Sequence, residues 1–386
     1  MNTDTVASEL AAFLPDHLLR QRWYGGKGRD PGQVRITTIE QLQPLWPGLL
    51  RVVVECDGAA THDRYQLLLG LRPLDDDAPL SRDPGVAVGE LTVGGRRAAC
   101  FDALADPELA LVVLGLVAPE LSARVVRPVG AEQSNSSVVY DDRFILKLFR
   151  RLASPNPDVE VTVALARVGF GHVAEPLGVW RSDGDDLALV QRFLSGGTDA
   201  WTLAVASARA VLAPGAPADP GADLAGAIAE LGHVTARMHL ALAEAFATWP
   251  AEPSKWADAA LARVDSTRNP RIDRAAVDLA IERIRDLDSA GRAIRIHGDY
   301  HLGQALRASG AWYVFDFEGE PTRPVEERRA PSSPLRDVAG MLRSFGYAAG
   351  SARRSQPSDH VGDAHERLRI WEARVRSAFL AAYFAG

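Results

Sequence analysis

The chain has 386 residues, of which 47% are hydrophobic, and a formal net charge of -7. This length predicts about two to three domains, each able to bury a core. The acidic balance argues against nucleic acid, whose phosphates require a basic face, and is compatible with an acidic small-molecule cleft.

Taken in chain order, residues 1–20 read as a helix that ends before Arg22-Trp23-Tyr24-Gly25-Gly26. Asp4 and Glu9 stand where a secretory leader would be basic. From Arg35 to Leu71 the pattern alternates like an antiparallel sheet, with Asp57-Gly58 as a turn, and Gly94-Gly95 is a second turn. Residues 106–119 read as a helix closing this region, so the first boundary falls near 120. The apolar run Leu109 to Ala118 is too short to span a bilayer. Two cysteines, Cys56 and Cys100, make no disulfide framework and fit a reducing cytoplasm. Gly25-Gly26-Lys27-Gly28 lacks the Ser or Thr that follows a Walker lysine, and reads as a turn.

Strands over Arg124 to Val129 and Val138 to Tyr140 flank Gly130 to Ser137, a polar segment containing Ser134, Asn135 and Ser136. By itself that segment is only a polar hairpin. Arg143 to Phe149 alternates as a strand with Lys147 in its middle, and a lysine on a half-buried strand needs an anionic partner or ligand. Glu160, at the start of the helical pattern Val159 to Val168, can supply that partner. Leu187 to Leu194 reads as a strand running into a hinge, where backbone groups near Gln191 and Phe193 would bind adenine, or as a plain buried strand. Ala213 to Gly221 is a loop too short for a domain linker. His233 and His239 lack the i, i+4 spacing of a zinc-binding helix face and read as structural. Glu326-Glu327-Arg328-Arg329 reads as a solvated face.

The segment with most chemical content is His297-Gly298-Asp299-Tyr300-His301-Leu302-Gly303-Gln304, followed by Asp316-Phe317-Glu318. Ile294-Arg295-Ile296 reads as a strand entering the first loop, and Trp312 to Phe315 as a strand delivering Asp316. Phosphoryl transfer is mostly positioning and charge neutralisation, so a site must orient a hydroxyl and hold Mg²⁺ against nucleotide phosphates. Asp299 suits the first task as catalytic carboxylate. Gln304 and Asp316 suit the second, because amide and carboxylate oxygens are the hard ligands Mg²⁺ prefers. His297 reads as a strut for the loop and Asp337 as the N-cap of the helix Val338 to Phe345.

These motifs, with Glu132-Gln133-Ser134-Asn135, Ile145 to Arg151, Asn156 to Glu160, Asp316 to Pro321, Leu335 to Arg343 and Gln21 to Gly28, resemble the maltokinase group, which includes glucosamine kinases, within the aminoglycoside-phosphotransferase-like kinases. The resemblance implies an α+β, bilobal, protein-kinase-like fold: an N-terminal α/β cap subdomain (1–120), an antiparallel β-sheet N-lobe with nucleotide loop and hinge (121–194), and a mainly α-helical C-lobe (195–386). It implies ATP and Mg²⁺ as cofactors, with Ser134, Asn135, Ser136, Lys147, Glu160, Gln191 and Phe193 at the nucleotide and Gln304 and Asp316 at the metal. Gln304 stands where the general kinase pattern has asparagine. Gly298 replaces the arginine through which regulated kinases sense phosphorylation.

Maltokinases continue past Arg369 to Tyr383 into a tyrosine-rich stretch that shapes the maltose pocket, whereas this sequence stops at Gly386. That points either to a piece of a longer protein or to a smaller acceptor. The expected acceptor is glucosamine, phosphorylated at its primary hydroxyl, with His301, Glu318, Glu320 and Asp337 as candidate substrate residues. Maltose phosphorylated at its anomeric hydroxyl is the alternative, and a non-catalytic nucleotide-binding pseudokinase the second. A small-molecule sugar is the expected partner, with no nucleic acid, no membrane and no oligomeric state indicated.

Overall fold

The computed structural model describes residues 3–25, 32–58, 61–74, 85–129, 135–213, 219–266, 273–321, 323–354 and 361–386. They form two compact units, Met1–Glu160 with Ala174–Ser195, and Val161–Val173 with Gly196–Gly386.

The first unit opens with α1 (Thr3–Arg20), followed by β1 (Gln33–Gln43), β2 (Gly48–Gly58), β3 (Thr61–Pro73), β4 (Ala87–Val93) and β5 (Arg96–Asp102). The strands make one antiparallel sheet in the order β1-β2-β3-β5-β4. Period-two alternation places Leu50, Val52, Val54 and Cys56 on one face of β2, where Val6, Leu10, Leu14 and Leu18 of α1 cover them at helical spacing. Next comes α2 (Pro107–Val117), started by Asp106, whose side chain accepts from the Glu108 N–H, and by Pro107 in the first turn.

A second antiparallel sheet contains β6 (Val126–Val129), β7 (Asn135–Tyr140) and β8 (Phe144–Phe149). Between β8 and the last two strands lies α3 (Pro157–Arg167), which begins in this unit and ends in the other. β9 (Pro176–Ser182) and β10 (Asp185–Arg192) complete the order β6-β7-β8-β10-β9. Leu109, Val113 and Val117 of α2 are buried against Leu68 and Phe101 of the first sheet and Val138, Leu146 and Val190 of the second. The sheets also join through main chain: Gln66 N–H donates to Arg150 O at 2.8 Å and Leu152 N–H to Arg64 O at 2.8 Å. The buried Gln66 amide donates to Phe149 O and Leu187 O, each at 2.7 Å. Strand pairing therefore takes residues 1–120 and the second sheet into one unit.

The second unit contains β11 (Thr198–Asp199), α4 (Ala200–Ala210), α5 (Ala222–Ala245), β12 (Trp249–Pro250), α6 (Pro253–Ser266), α7 (Arg274–Arg285) and β13 (Arg292–Ala293). It continues with β14 (Ala305–Ala308), β15 (Ala311–Val314), α8 (Val325–Arg329), α9 (Leu335–Arg354) and α10 (Val361–Ala385). Its core is helical, built on Leu231, Met238 and Leu242 of α5, Met341 and Phe345 of α9, and Trp371, Val375 and Phe379 of α10. Two buried indoles satisfy their N–H groups, Trp312 on Ala227 O at 2.8 Å and Trp371 on Ser207 Oγ at 3.0 Å. Truncating either to alanine would cost about 3–5 kcal/mol.

Four sequence expectations change. Ile294-Arg295-Ile296 is no strand: Ile294 makes a single bridge with Ser332, exchanging both N–H bonds at 3.0 and 2.8 Å. Asn135 and Ser136 belong to β7 and not to the loop before it, because pairing with β8 extends to Asn135 opposite Phe149. α9 begins at Leu335, so Asp337 sits inside its first turn and is not its N-cap. Arg328 is no solvated residue; its Nη1 donates to Glu318 O at 2.9 Å. Ser134, Glu132, Gln133 and Gly26-Lys27-Gly28 lie outside the described residues. Among the described residues no helix is long and apolar enough to cross a membrane.

Candidate active site

In the second unit α5 and α9 hold the loop that carries Asp299. Asp337, 1% exposed, accepts the His297 N–H on Oδ2 at 2.8 Å and the Gly298 N–H on Oδ1 at 2.9 Å. The His239 ring on α5 donates from Nε2 to the same Oδ2 at 3.2 Å. Burial by itself would raise the Asp337 carboxyl, but the His239 hydrogen bond, the neighbouring His239 and His297 rings and the Gly298 N–H hold it below the usual carboxylate range. The next residues are fixed in turn. Tyr300 OH meets Thr235 Oγ1 at 2.9 Å, and Leu302 N–H donates to Ser344 Oγ at 3.2 Å. Gly298 has φ 86°, which glycine adopts without strain, and a Cβ there would lie 3.4 Å from Gly319 Cα, so two loops run backbone against backbone.

The second of those loops is Asp316-Phe317-Glu318-Gly319. Asp316 has φ 66°, uncommon for a non-glycine residue and a form of strain that concentrates at functional sites. Phe317 is buried, its ring centroid 4.8 Å from that of His297. His297 Nε2 donates to Phe315 O at 3.1 Å, so the histidine is the strut the sequence indicated. Gln304 Nε2 donates to Asp316 Oδ2 at 3.1 Å, and Phe315 N–H donates to Gln304 O at 3.2 Å. Gln304 thus meets Asp316 through its amide nitrogen, and the Asp316 carboxylate supplies the hard oxygens that Mg²⁺ takes.

His301 Nδ1 accepts from Gly303 N–H at 3.0 Å, which leaves the ring proton on Nε2. Burial holds the ring below its ordinary value despite the nearby Asp299 carboxylate; His297, Asp316 and Arg343 also act on it. Asp299 and Asp316 therefore converge electrostatically on one neutral imidazole. Glu320 is differently placed: it is bridged by Arg263 at 2.6 Å and Arg323 at 2.7 Å. Burial pushes its carboxyl up, but the two guanidiniums outweigh this and bring it down to about 2.

In the first unit Lys147 Nζ donates to Asp158 Oδ2 at 2.9 Å, with both side chains mostly buried. Sequence reasoning singled out Glu160, in the same first turn of α3, and missed Asp158. The local signal was Asn156, whose Oδ1 accepts the Asp158 N–H at 2.9 Å and starts the helix so that Asp158 turns inward. Ser136 Oγ accepts from Arg150 Nε at 2.8 Å. Asn135 is buried on β7. Gln191 Nε2 donates to Ala174 O at 3.2 Å. The Arg192 and Phe193 N–H groups donate to Glu175 O and Arg143 O at 2.9 and 2.8 Å, so both are committed within the sheet.

Comparison with known proteins locates these features. The maltokinase N-terminal cap domain matches residues 17–106, and the phosphotransferase enzyme family matches residues 125–376. A glucosamine kinase from Streptacidiphilus jiangxiensis is 33% identical over 276 residues, covering 67% of this chain and 61% of that relative, less than two thirds of its length. A solved glucosamine kinase structure (crystal form B) superposes with a TM-score of 0.66 at 27% identity, covering 98% of this chain and 87% of the other. A glucosamine kinase solved in complex with glucosamine, ADP and inorganic phosphate gives a TM-score of 0.63 at 25% identity, again covering 98% and 87%.

Proposed function

The chain belongs to the phosphotransferase enzyme family, and we propose that it transfers the γ-phosphoryl group of ATP to the primary hydroxyl of an amino sugar, glucosamine. The observation that carries this reading is the anchored loop: Asp337 fixes His297 and Gly298 and so sets the position of Asp299. The glucosamine-bound relative supports the acceptor. We place the activity in the cytoplasm, where ATP is abundant and where two free, buried cysteines are at home. The division into a cap to about residue 120, a nucleotide segment to 194 and an acceptor segment beyond is part of the same proposal.

In this mechanism Asp299 orients the acceptor hydroxyl and takes its proton as the oxygen attacks phosphorus, a contribution on the order of 10²- to 10⁴-fold. Neutral His301 offers its Nε2–H to an oxygen of the sugar or of the transferring group. Lys147, held by Asp158, sets a positive charge against the nucleotide phosphates. Gln304 and Asp316 would hold Mg²⁺, which when bound neutralises charge on the β and γ phosphates. Of the carboxylates considered for the substrate amine, Asp337 is occupied by the loop and Glu320 by two arginines.

Maltose, phosphorylated at its anomeric hydroxyl, is the second reading, favoured by the maltokinase cap match. ADP release measured with glucosamine, glucose, N-acetylglucosamine and maltose tests the proposal. ADP release that none of the four sugars stimulates would contradict it.

A further inference from the structure

Behind Asp337 the hydrogen bonds continue away from the loop. Tyr383 OH, near the end of α10, lies 2.9 Å from His239 Nδ1, with the rings edge to face at a centroid distance of 5.6 Å. An ionised carboxylate only accepts, so the bond to Asp337 places the proton of the neutral ring on Nε2. Nδ1 is then an acceptor, and Tyr383 must donate to it. The three side chains form a directed chain, Tyr383 O–H to His239 Nδ1, His239 Nε2–H to Asp337 Oδ2, with Asp337 receiving the two backbone N–H groups that precede Asp299. It links α10, α5 and α9 to one peptide segment.

We infer that His239 and Tyr383 are positioning residues for phosphoryl transfer, acting through Asp337 on the geometry of Asp299. The inference rests on the reading of Asp299 as the catalytic carboxylate. Its physical content is the set of hydrogen-bond donors that Asp337 accepts. A buried carboxylate that accepts three N–H groups keeps both backbone donors only while it is ionised, and the His239 N–H is a donor that a side chain supplies. Without the Tyr383 hydroxyl the ring loses the hydrogen bond at Nδ1 that holds it in register with Asp337. Without the ring Asp337 stays buried with one donor fewer, and its carboxyl protonates at higher pH. Once protonated it turns a donor toward the loop and releases one of the two backbone N–H groups. The other titratable groups facing Asp337 are His297 from the loop, Tyr300 beside it and Arg336 from its own helix. None of these is altered in the variants below.

The test compares His239→Ala, His239→Gln and Tyr383→Phe in the full chain. His239→Ala is expected to lower kcat about 10- to 100-fold while leaving KM for ATP within twofold, in line with the cost of a roughly 1 Å misplacement. It should also move the acidic limb of the kcat–pH profile upward. His239→Gln, which keeps an N–H donor, should restore most of kcat and the original limb. Tyr383→Phe, nearly isosteric, should fall between them. Amide hydrogen exchange over residues 297–300 requires no substrate and should accelerate in His239→Ala and Tyr383→Phe. Wild-type protein inactive on every sugar would remove the functional reading, and the exchange data would still decide the relay. Unchanged exchange in both variants, or an active enzyme whose kcat and pH profile ignore both, overturns the inference.

Discussion

Adding one methyl group at Gly340 should damage catalysis while a like change elsewhere improves the protein. Gly340 lies inside α9, where alanine is favoured over glycine by about 1 kcal/mol when nothing else intervenes. A Cβ at this position would stand 2.5 Å from Tyr300 O, a backbone atom next to Asp299. To restore ordinary contact the loop or the helix must move by roughly 1 Å, enough in a positioned site to cost on the order of 10²-fold in rate. The overpacking itself costs about 1–3 kcal/mol, which cancels or exceeds the propensity gain. Gly226 in α5 is the control, since a Cβ there meets nothing within 4 Å. Gly226→Ala should stabilise by about 0.5–1 kcal/mol and leave kcat alone. Urea denaturation and steady-state ADP release on both variants make the comparison. If Gly340→Ala turns over like wild type and gains stability like Gly226→Ala, then α9 does not fix the loop and the account of Asp299 positioning fails.

Asp299→Asn should abolish turnover and leave nucleotide affinity within about twofold, because the carboxylate acts on the acceptor; retention of more than half the wild-type rate would exclude Asp299 from a contribution on the order of 10²-fold. Asp316→Ala should remove Mg²⁺-dependent nucleotide binding, and Lys147→Ala should weaken it while leaving Asp158 buried without its cation; calorimetry with unchanged MgATP affinity in both would contradict the assignments. His17 is buried, and burial lowers its pKa to about 4, whereas in the unfolded chain it titrates near 6.5. The unfolded state therefore takes up a proton first, and the stability that depends on neutral His17 is complete above pH 6.5 and lost as pH falls toward 4, by up to about 3 kcal/mol. His17→Gln should flatten that decline in urea melts at pH 7, 5.5 and 4.5; identical slopes for both proteins would show that His17 titrates normally in the fold.

What could be read beforehand followed from locality. Period-two and helical patterns located α1, α2, β8, β10 and β15 closely, because each is decided by its own residues. The two loop motifs were legible because phosphoryl transfer restricts residue types at short spacing. Long-range pairing was not legible. Ile294 makes its isolated bridge with Ser332, and the start of β7 is set by Phe149 across the sheet. Asp158 escaped notice because its pairing with Lys147 depends on helix phase, which the Asn156 Oδ1 that accepts the Asp158 N–H helps to set. Asp337 looked like a helix cap because Pro334 and Ser333, which start α9, lie just upstream; the Ser333 Oγ accepts the Leu335 N–H at 3.3 Å. His239 and Tyr383 carry no local signal, as their meaning depends on three helices meeting at one carboxylate.

The most direct test is acceptor competition with product identification. Purified protein with ATP and Mg²⁺ is given glucosamine and maltose separately, and the position of the transferred phosphate is read by ³¹P and ¹³C NMR. Glucosamine should have the higher kcat/KM and yield a phosphate ester at its primary hydroxyl. A higher kcat/KM for maltose, with phosphate on the anomeric oxygen, would contradict the amino-sugar assignment and make the chain a maltokinase.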